Sequence, residues 1–183
     1  MSDSVSKMEA MIRFNDDDTN RGIEAGAWEF DGGVAVEIKP TNHWFDWITN
    51  VTGAWPRGHR QHRIWRRDAQ ALVRWLESKV PASRYTLIGI SRGGAIGIIA
   101  ADILTQHGLQ ARVITMGSPK PGRIHKSFLI TQYRVKGDLV PFLPLLYPRV
   151  KFGTIWSRGQ WAPFWKAHAG YWDLLREVRE SCE

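Results

Sequence analysis

The pentapeptide Gly89-Ile90-Ser91-Arg92-Gly93 joins two apolar stretches of different length, and this junction restricts the fold more than any other feature of the chain. Tyr85 to Ile90 is a short, nearly continuous apolar run, as expected of a strand buried on both faces. Gly93 to His107 is long enough for a helix, is apolar almost throughout, and is closed by Gly108. A serine between them, flanked by glycines, fits G-x-S-x-G in the strand–turn–helix setting that a nucleophile elbow needs. The glycines have a steric purpose: the turn is so sharp that side chains at these positions would meet the neighbouring strand and helix. The turn lifts the hydroxyl clear of the sheet, and the helix N-terminus presents backbone N–H groups beside it.

The rest of the chain extends the alternation. Trp28-Glu29-Phe30 and Val34 to Ile38 flank Asp31-Gly32-Gly33, which predicts a hairpin. Apolar residues at Ile64, Trp65, Ala69, Leu72, Val73 and Leu76 predict an amphipathic helix over Ile64 to Lys79, ended by Pro81. Ala111 to Met116 and Ile130 to Val135 read as further buried strands, and Lys151 to Trp156 as another. Gly170 to Ser181 reads as the last helix. Strands alternating with helices imply a mostly parallel central sheet flanked by helices, the α/β class. With 183 residues, one compact domain over 1–183 is expected, with a polar and mobile segment at 1–20.

Composition excludes several classes. One cysteine, Cys182, rules out a disulfide framework within the chain. No apolar run is long enough to span a bilayer, and Met1 to Ala10 has no apolar core of a signal peptide. A cytoplasmic protein, or one released without a classical signal, is therefore expected. The acidic run Asp16-Asp17-Asp18 lacks calcium-loop spacing, and no metal or cofactor is implied. The net charge of +7 favours anionic surfaces, while the arginines are scattered and no nucleic-acid motif is present. The ten tryptophans, several of them late in the chain (Trp156, Trp161, Trp165, Trp172), suit core, rim and lipid–water boundary alike.

A serine hydroxyl needs a base to act as nucleophile. Only His107, His125 and His168 follow Ser91. His107 ends the helix that starts at the elbow and so points away from it. His125, after Pro121-Gly122-Arg123, is a possible base but has no acid at a strand end between it and Ser91, and Asp102 sits within the helix, facing the wrong end. Asp138 follows the strand Ile130 to Val135 in a loop, where a carboxylate reaches the carboxyl edge of a parallel sheet. His168, in Ala167-His168-Ala169-Gly170, is expected on a loop before the last helix. Ser91, Asp138 and His168 thus stand in the chain order of a serine triad.

Five segments in order resemble the class 3 lipase family, the fungal-type triacylglycerol lipases. Ala35 to Thr41 with Asp46 to Asn50 resembles its strand, R-G-T/S loop and D-W-x-x-D/N stretch. Gly89 to Ala95 resembles its G-H-S-L-G-G-A elbow, and Met116 to Gly122 its F-G-S-P-R-x-G strand end. Gly137 to Pro141, with Leu143-Pro144, resembles its D-x-V-P-x-L-P acid loop, and His168, Gly170 and Trp172 its terminal H-x-G-x-x-x-W region. The resemblance implies an α/β-hydrolase fold and cleavage of carboxylic esters through an acyl-enzyme. It also implies an oxyanion hole built from Thr41 and the backbone N–H of Arg92.

The departures from the family pattern bear on substrate. Lys39-Pro40 replaces R-G, which stiffens the oxyanion loop and removes a donor. Ile90 replaces the usual His, and Arg92 the usual Leu. Arg92 either brings a cation to the pocket, favouring acidic or phosphorylated esters, or forms a surface ion pair. The stretch from Trp47 to His62, where the family carries its lid, is basic rather than greasy. Soluble esters and lipids at an anionic membrane surface are therefore expected as substrates ahead of neutral fat. Two rivals remain at this stage: a catalytically silent relative that binds a ligand or protein, and a triad hydrolase for amides or thioesters.

Overall fold

The computed structural model describes residues 12–13, 23–39, 61–126, 128–145, 147–148, 154–158 and 164–180. Seven strands form one sheet in chain order: β1 (Ile12–Arg13), β2 (Glu24–Phe30), β3 (Gly33–Ile38), β4 (Arg84–Ile90), β5 (Gln110–Met116), β6 (Leu129–Val135) and β7 (Thr154–Arg158). The first two pairings are antiparallel and the other four parallel. Helix α1 (Arg63–Lys79) precedes β4, and α2 (Arg92–Gln106) links β4 to β5. A 3-10 turn (Val140–Phe142) follows β6. Helices α3 (Phe164–Ala169) and α4 (Tyr171–Glu180) follow β7. This is the expected mostly parallel α/β sheet with flanking helices.

The β2–β3 hairpin turns on two residues, Asp31 and Gly32, both with positive φ (48° and 65°). That conformation matches the twist of the strands it joins. At β4 and β5 the sheet is largely apolar on both faces because helices cover both. In β4, Tyr85 and Leu87 join the cluster beneath α1 and α2, whereas Ile88 and Ile90 join the opposite cluster with Tyr171 and Leu174 of α4. This is the two-residue period of a strand used twice. Helix α1 buries one stripe, Trp65, Asp68, Ala69, Leu72, Val73 and Leu76, while α2 is buried nearly all round. Each such Leu or Ile side chain contributes roughly 1.5–3 kcal/mol on burial.

The strand and helix expectations hold to within a residue or two over most of the described chain. At β7 the strand begins at Thr154, paired with Thr131 of β6, so its register follows the β6 edge; residues 151–153 lie outside the described residues. Within the polar segment at 1–20, Ile12 and Arg13 pair with Ala25 and Glu24 at the sheet edge. The acidic run, Thr41 and the stretch 40–60 lie outside the described residues. Among the described residues no helix is long and apolar enough to cross a membrane.

Candidate active site

Ser91 caps α2 with φ 51° and ψ −125°, a left-handed strained conformation for a residue with a side chain. Its N–H donates to the Met116 carbonyl at 2.8 Å, so the elbow is clamped to the end of the neighbouring strand β5. The glycines are required by contact. A Cβ at Gly89 would lie 2.5 Å from the backbone of Gly93, and one at Gly93 would lie 2.4 Å from the Ile38 carbonyl oxygen of β3. A Cβ at Gly94 would meet that of Ser118 at 2.8 Å. Strand, turn and helix approach so closely that only hydrogen fits.

Asp138 follows β6 in a turn closed by its own N–H to the Val135 carbonyl. Its carboxylate is buried, yet it is surrounded by donors. Oδ1 accepts the Val140 N–H at 2.9 Å, and Oδ2 lies 3.1 Å from His168 Nδ1. A carboxylate oxygen can only accept, so Nδ1 carries the proton and Nε2 is left with its lone pair, the arrangement of a general base. His168 lies on α3 and not on the expected loop. Helix α3 covers Phe164–Ala169 and ends before Gly170.

Tyr171 was not singled out from the sequence, although it lies one helical step beyond His168. It is fully buried, receives the Val135 N–H on its hydroxyl at 2.9 Å, and hydrogen-bonds the Asp138 carboxylate. Burial, then the Asp138 charge and hydrogen bond, push its phenol far above the ordinary range, against a lowering by the Val135 N–H. Its ring stands edge-on to His168, with centroids 5.6 Å apart. Gly117, with φ 59°, makes room for this group: a Cβ there would lie 2.3 Å from Tyr171 Cε2 and 2.9 Å from Asp138 Oδ2. Met116, which receives the Ser91 N–H, is the residue before Gly117. Ser91 and the Asp138–His168 pair thus share the carboxyl edge of the sheet.

The other candidates are accounted for differently. Asp102, wholly buried in α2, accepts from Gln61 Nε2 at 2.7 Å, from the backbone N–H groups of His125 and Lys126, and lies 3.0 Å from His125 Nδ1. The His125–Asp102 pair therefore pins the β5–β6 connection to α2. His107 pairs with Glu77 of α1 at 2.6 Å, away from the elbow. Arg92 corrects the expectation of a pocket cation or a surface ion pair. It is only 5% exposed, and its guanidinium reaches Asp68 of α1 at 2.6 Å, itself 5% exposed. Burial raises the Asp68 carboxyl, opposed by Arg92 and then Arg67. Asp68 was overlooked in sequence, yet an acid three residues after Trp65 and four before Leu72 sits on the buried stripe of α1, where an acid needs a partner. Thr41, the other oxyanion candidate, lies outside the described residues.

A family model for class 3 lipases matches residues 35–147, more than half of the chain. No curated protein sequence matches. Among solved structures, the fold is similar to that of a triacylglycerol lipase from Penicillium expansum. The TM-score is 0.58 at 18% identity, over 84% of this chain and 70% of that one. It is also similar to the nonglycosylated LIP2 lipase of Yarrowia lipolytica, with a TM-score of 0.52 at 14% identity, over 80% of this chain and 64% of that one. The chain thus spans less than two thirds of the length of the Yarrowia lipase, and at such identities the likeness is one of fold. The family match runs from β3 through the elbow to the acid loop after β6, and on this ground the chain belongs to the class 3 lipase family.

Proposed function

We propose that this protein hydrolyses carboxylic esters of lipids through an acyl-enzyme, with Ser91 as nucleophile, His168 as base and Asp138 as the acid that orients it. The observation that carries the reading is the Asp138–His168 pair, 3.1 Å apart, at the same sheet edge as the strained Ser91 turn. Family membership supports ester chemistry on lipids. In the proposed cycle, His168 Nε2 takes the Ser91 proton as Oγ attacks the carbonyl carbon. The resulting oxyanion is received by the backbone N–H of Arg92 and by Thr41, donors of a kind whose individual loss costs on the order of 2.7–4 kcal/mol of barrier. Collapse breaks the ester C–O bond, and the alcohol leaves with the proton from Nε2. Water then repeats the sequence on the acyl-enzyme and releases the acid.

The substrates proposed are short to medium acyl esters and lipids presented on an anionic surface, ahead of neutral fat. The basic stretch 47–62 and the net charge of +7 support this preference. The deciding experiment is fluorophosphonate labelling with hydrolysis of p-nitrophenyl esters of rising chain length. Ser91→Ala is expected to abolish labelling and to lower turnover many thousand-fold (on the order of 10⁴ or more) with the fold retained. Wild-type turnover in Ser91→Ala would remove Ser91 as the nucleophile, and a wild-type protein that neither labels nor turns over would replace this reading with that of a binding module.

A further inference from the structure

Arg92 stands where charge is least welcome. It is the first residue of α2, at the positive end of the helix dipole, and its guanidinium is buried. A buried cation there is tenable only with an anion against it, and Asp68 provides one at 2.6 Å from the neighbouring helix α1. The same residue carries the backbone N–H that the proposed mechanism aims at the oxyanion. First-turn N–H groups point out along the helix axis rather than back into it, so a small tilt of this peptide swings the donor off its target. Everything else at the elbow is held by backbone contact: Gly89 against Gly93, Gly93 against the Ile38 carbonyl, and the Ser91 N–H on Met116. The Arg92 side chain adds a polar tether that runs sideways from the donor peptide to α1.

We infer that Asp68 is a positioning residue for the hydrolytic site: by gripping the Arg92 guanidinium it holds the Arg92 peptide, and hence the oxyanion donor, in register with Ser91. The side chain is thereby kept out of the substrate pocket, its charge is neutralised, and specificity for acidic esters does not arise from it. This inference rests on the serine-hydrolase reading given above. It assigns a role in catalysis to a residue of α1 that touches neither substrate nor the reacting atoms.

The test is Asp68→Asn, assayed per active serine. Sites are counted with a fluorophosphonate, and assays are run well below the melting temperature. The expected result is kcat lowered on the order of 10–100-fold with KM within about threefold of wild type, since the lost interaction is made mainly in the transition state. Affinity for a trifluoromethyl ketone, which forms a tetrahedral oxyanion adduct with the serine, falls in step with kcat. The double variant Arg92→Leu, Asp68→Leu removes the grip without leaving a buried charge unpaired, and its kcat stays lowered; recovery to wild type would show that the single-variant loss comes from the unpaired charge and would overturn the inference. If Asp68→Asn does not fold, Asp68→Glu, which keeps the charge and moves the carboxylate by one methylene, carries the same test with the same expected signs. A lowered melting temperature with unchanged kcat per labelled serine would overturn the inference, leaving the ion pair a support of the fold alone. An active, labelled Ser91→Ala would instead overturn Ser91 as the nucleophile, the reading on which the inference rests, so the two failures are distinct.

Discussion

Tyr171 holds three groups at once: the Val135 N–H, the Asp138 carboxylate and the edge of the His168 ring. Removing its hydroxyl leaves a buried N–H unsatisfied and takes a donor from a buried carboxylate. Tyr171→Phe is therefore expected to cost about 1–3 kcal/mol in urea unfolding. It should also reduce activity less than Asp138→Asn, for which a loss on the order of 10⁴-fold is expected, because that change gives the base the wrong tautomer. There is also an alkaline signature. The folded state binds the phenol proton more tightly than the unfolded state, so the stability tied to it is whole below about pH 10 and is lost as pH rises further. Comparing unfolding at about pH 8 and about pH 11 should show that decline reduced in the Phe variant.

At the level of elements, the β4–turn–α2 unit is built on contact distances rather than on propensity. Gly93 and Gly97 lie one helical turn apart and make opposite predictions. A Cβ at Gly93 would meet the backbone oxygen of Ile38 at 2.4 Å, and neither strand nor helix can yield. Gly93→Ala should therefore cost at least about 1–3 kcal/mol and most of the activity. At Gly97 the nearest atom is the movable Cδ1 of Ile38 at 3.3 Å. The helix preference for alanine, about 1 kcal/mol, offsets that contact, so Gly97→Ala should remain within about 1 kcal/mol of wild type and keep its turnover. Urea melts and p-nitrophenyl ester turnover on both variants check the pair of expectations. A tolerated Gly93→Ala would mean that the elbow is looser than its contacts indicate. At the other end of α2, Asp102 turns a buried carboxylate into an anchor for the β5–β6 connection. One helix thus positions the elbow and steadies the loop that leads to β6.

Over the whole molecule, charge and exposed apolar groups make the substrate preference testable. The net charge is +7, and the acid loop exposes Leu139, Phe142 and Leu145, while α4 exposes Trp172 near its start. Each basic residue close to an anionic lipid surface is worth about 1 kcal/mol, and the attraction fades within a Debye length. The protein should therefore sediment with vesicles containing phosphatidylserine or phosphatidylglycerol, bind zwitterionic vesicles weakly, and release as salt rises. Turnover of an ester should increase on the anionic vesicles and show no sharp step on a neutral triglyceride emulsion. Such a step on the emulsion, with no response to anionic lipid, would assign this protein to interfacial fat hydrolysis instead.

Periodicity and local chemistry determined much of this protein from its sequence alone. Apolar runs bounded by glycine and proline marked β4, α2 and β5, because a strand covered on both faces is largely apolar; β6, with Gln132 and Arg134, is only half buried. The glycines around Ser91 announced the elbow, because no other residue fits so close an approach. The order Ser91, Asp138, His168 was legible as the chain order of a triad, and the structure brings Asp138 against His168. Three matters were decided only by tertiary structure. His168 sits on a helix, since the helix-compatible run from Phe164 to Ala169 outweighs its proximity to Gly170. Arg92 turns inward to Asp68, a pairing across 24 residues that no local pattern contains. Tyr171 meets Asp138 and Gly117 because α4 packs on the sheet face opposite α1 and α2. Local sequence sets which conformations and burial patterns are affordable for a segment. Which buried polar group meets which partner depends on how the elements are brought together, and that is written only in the packed fold.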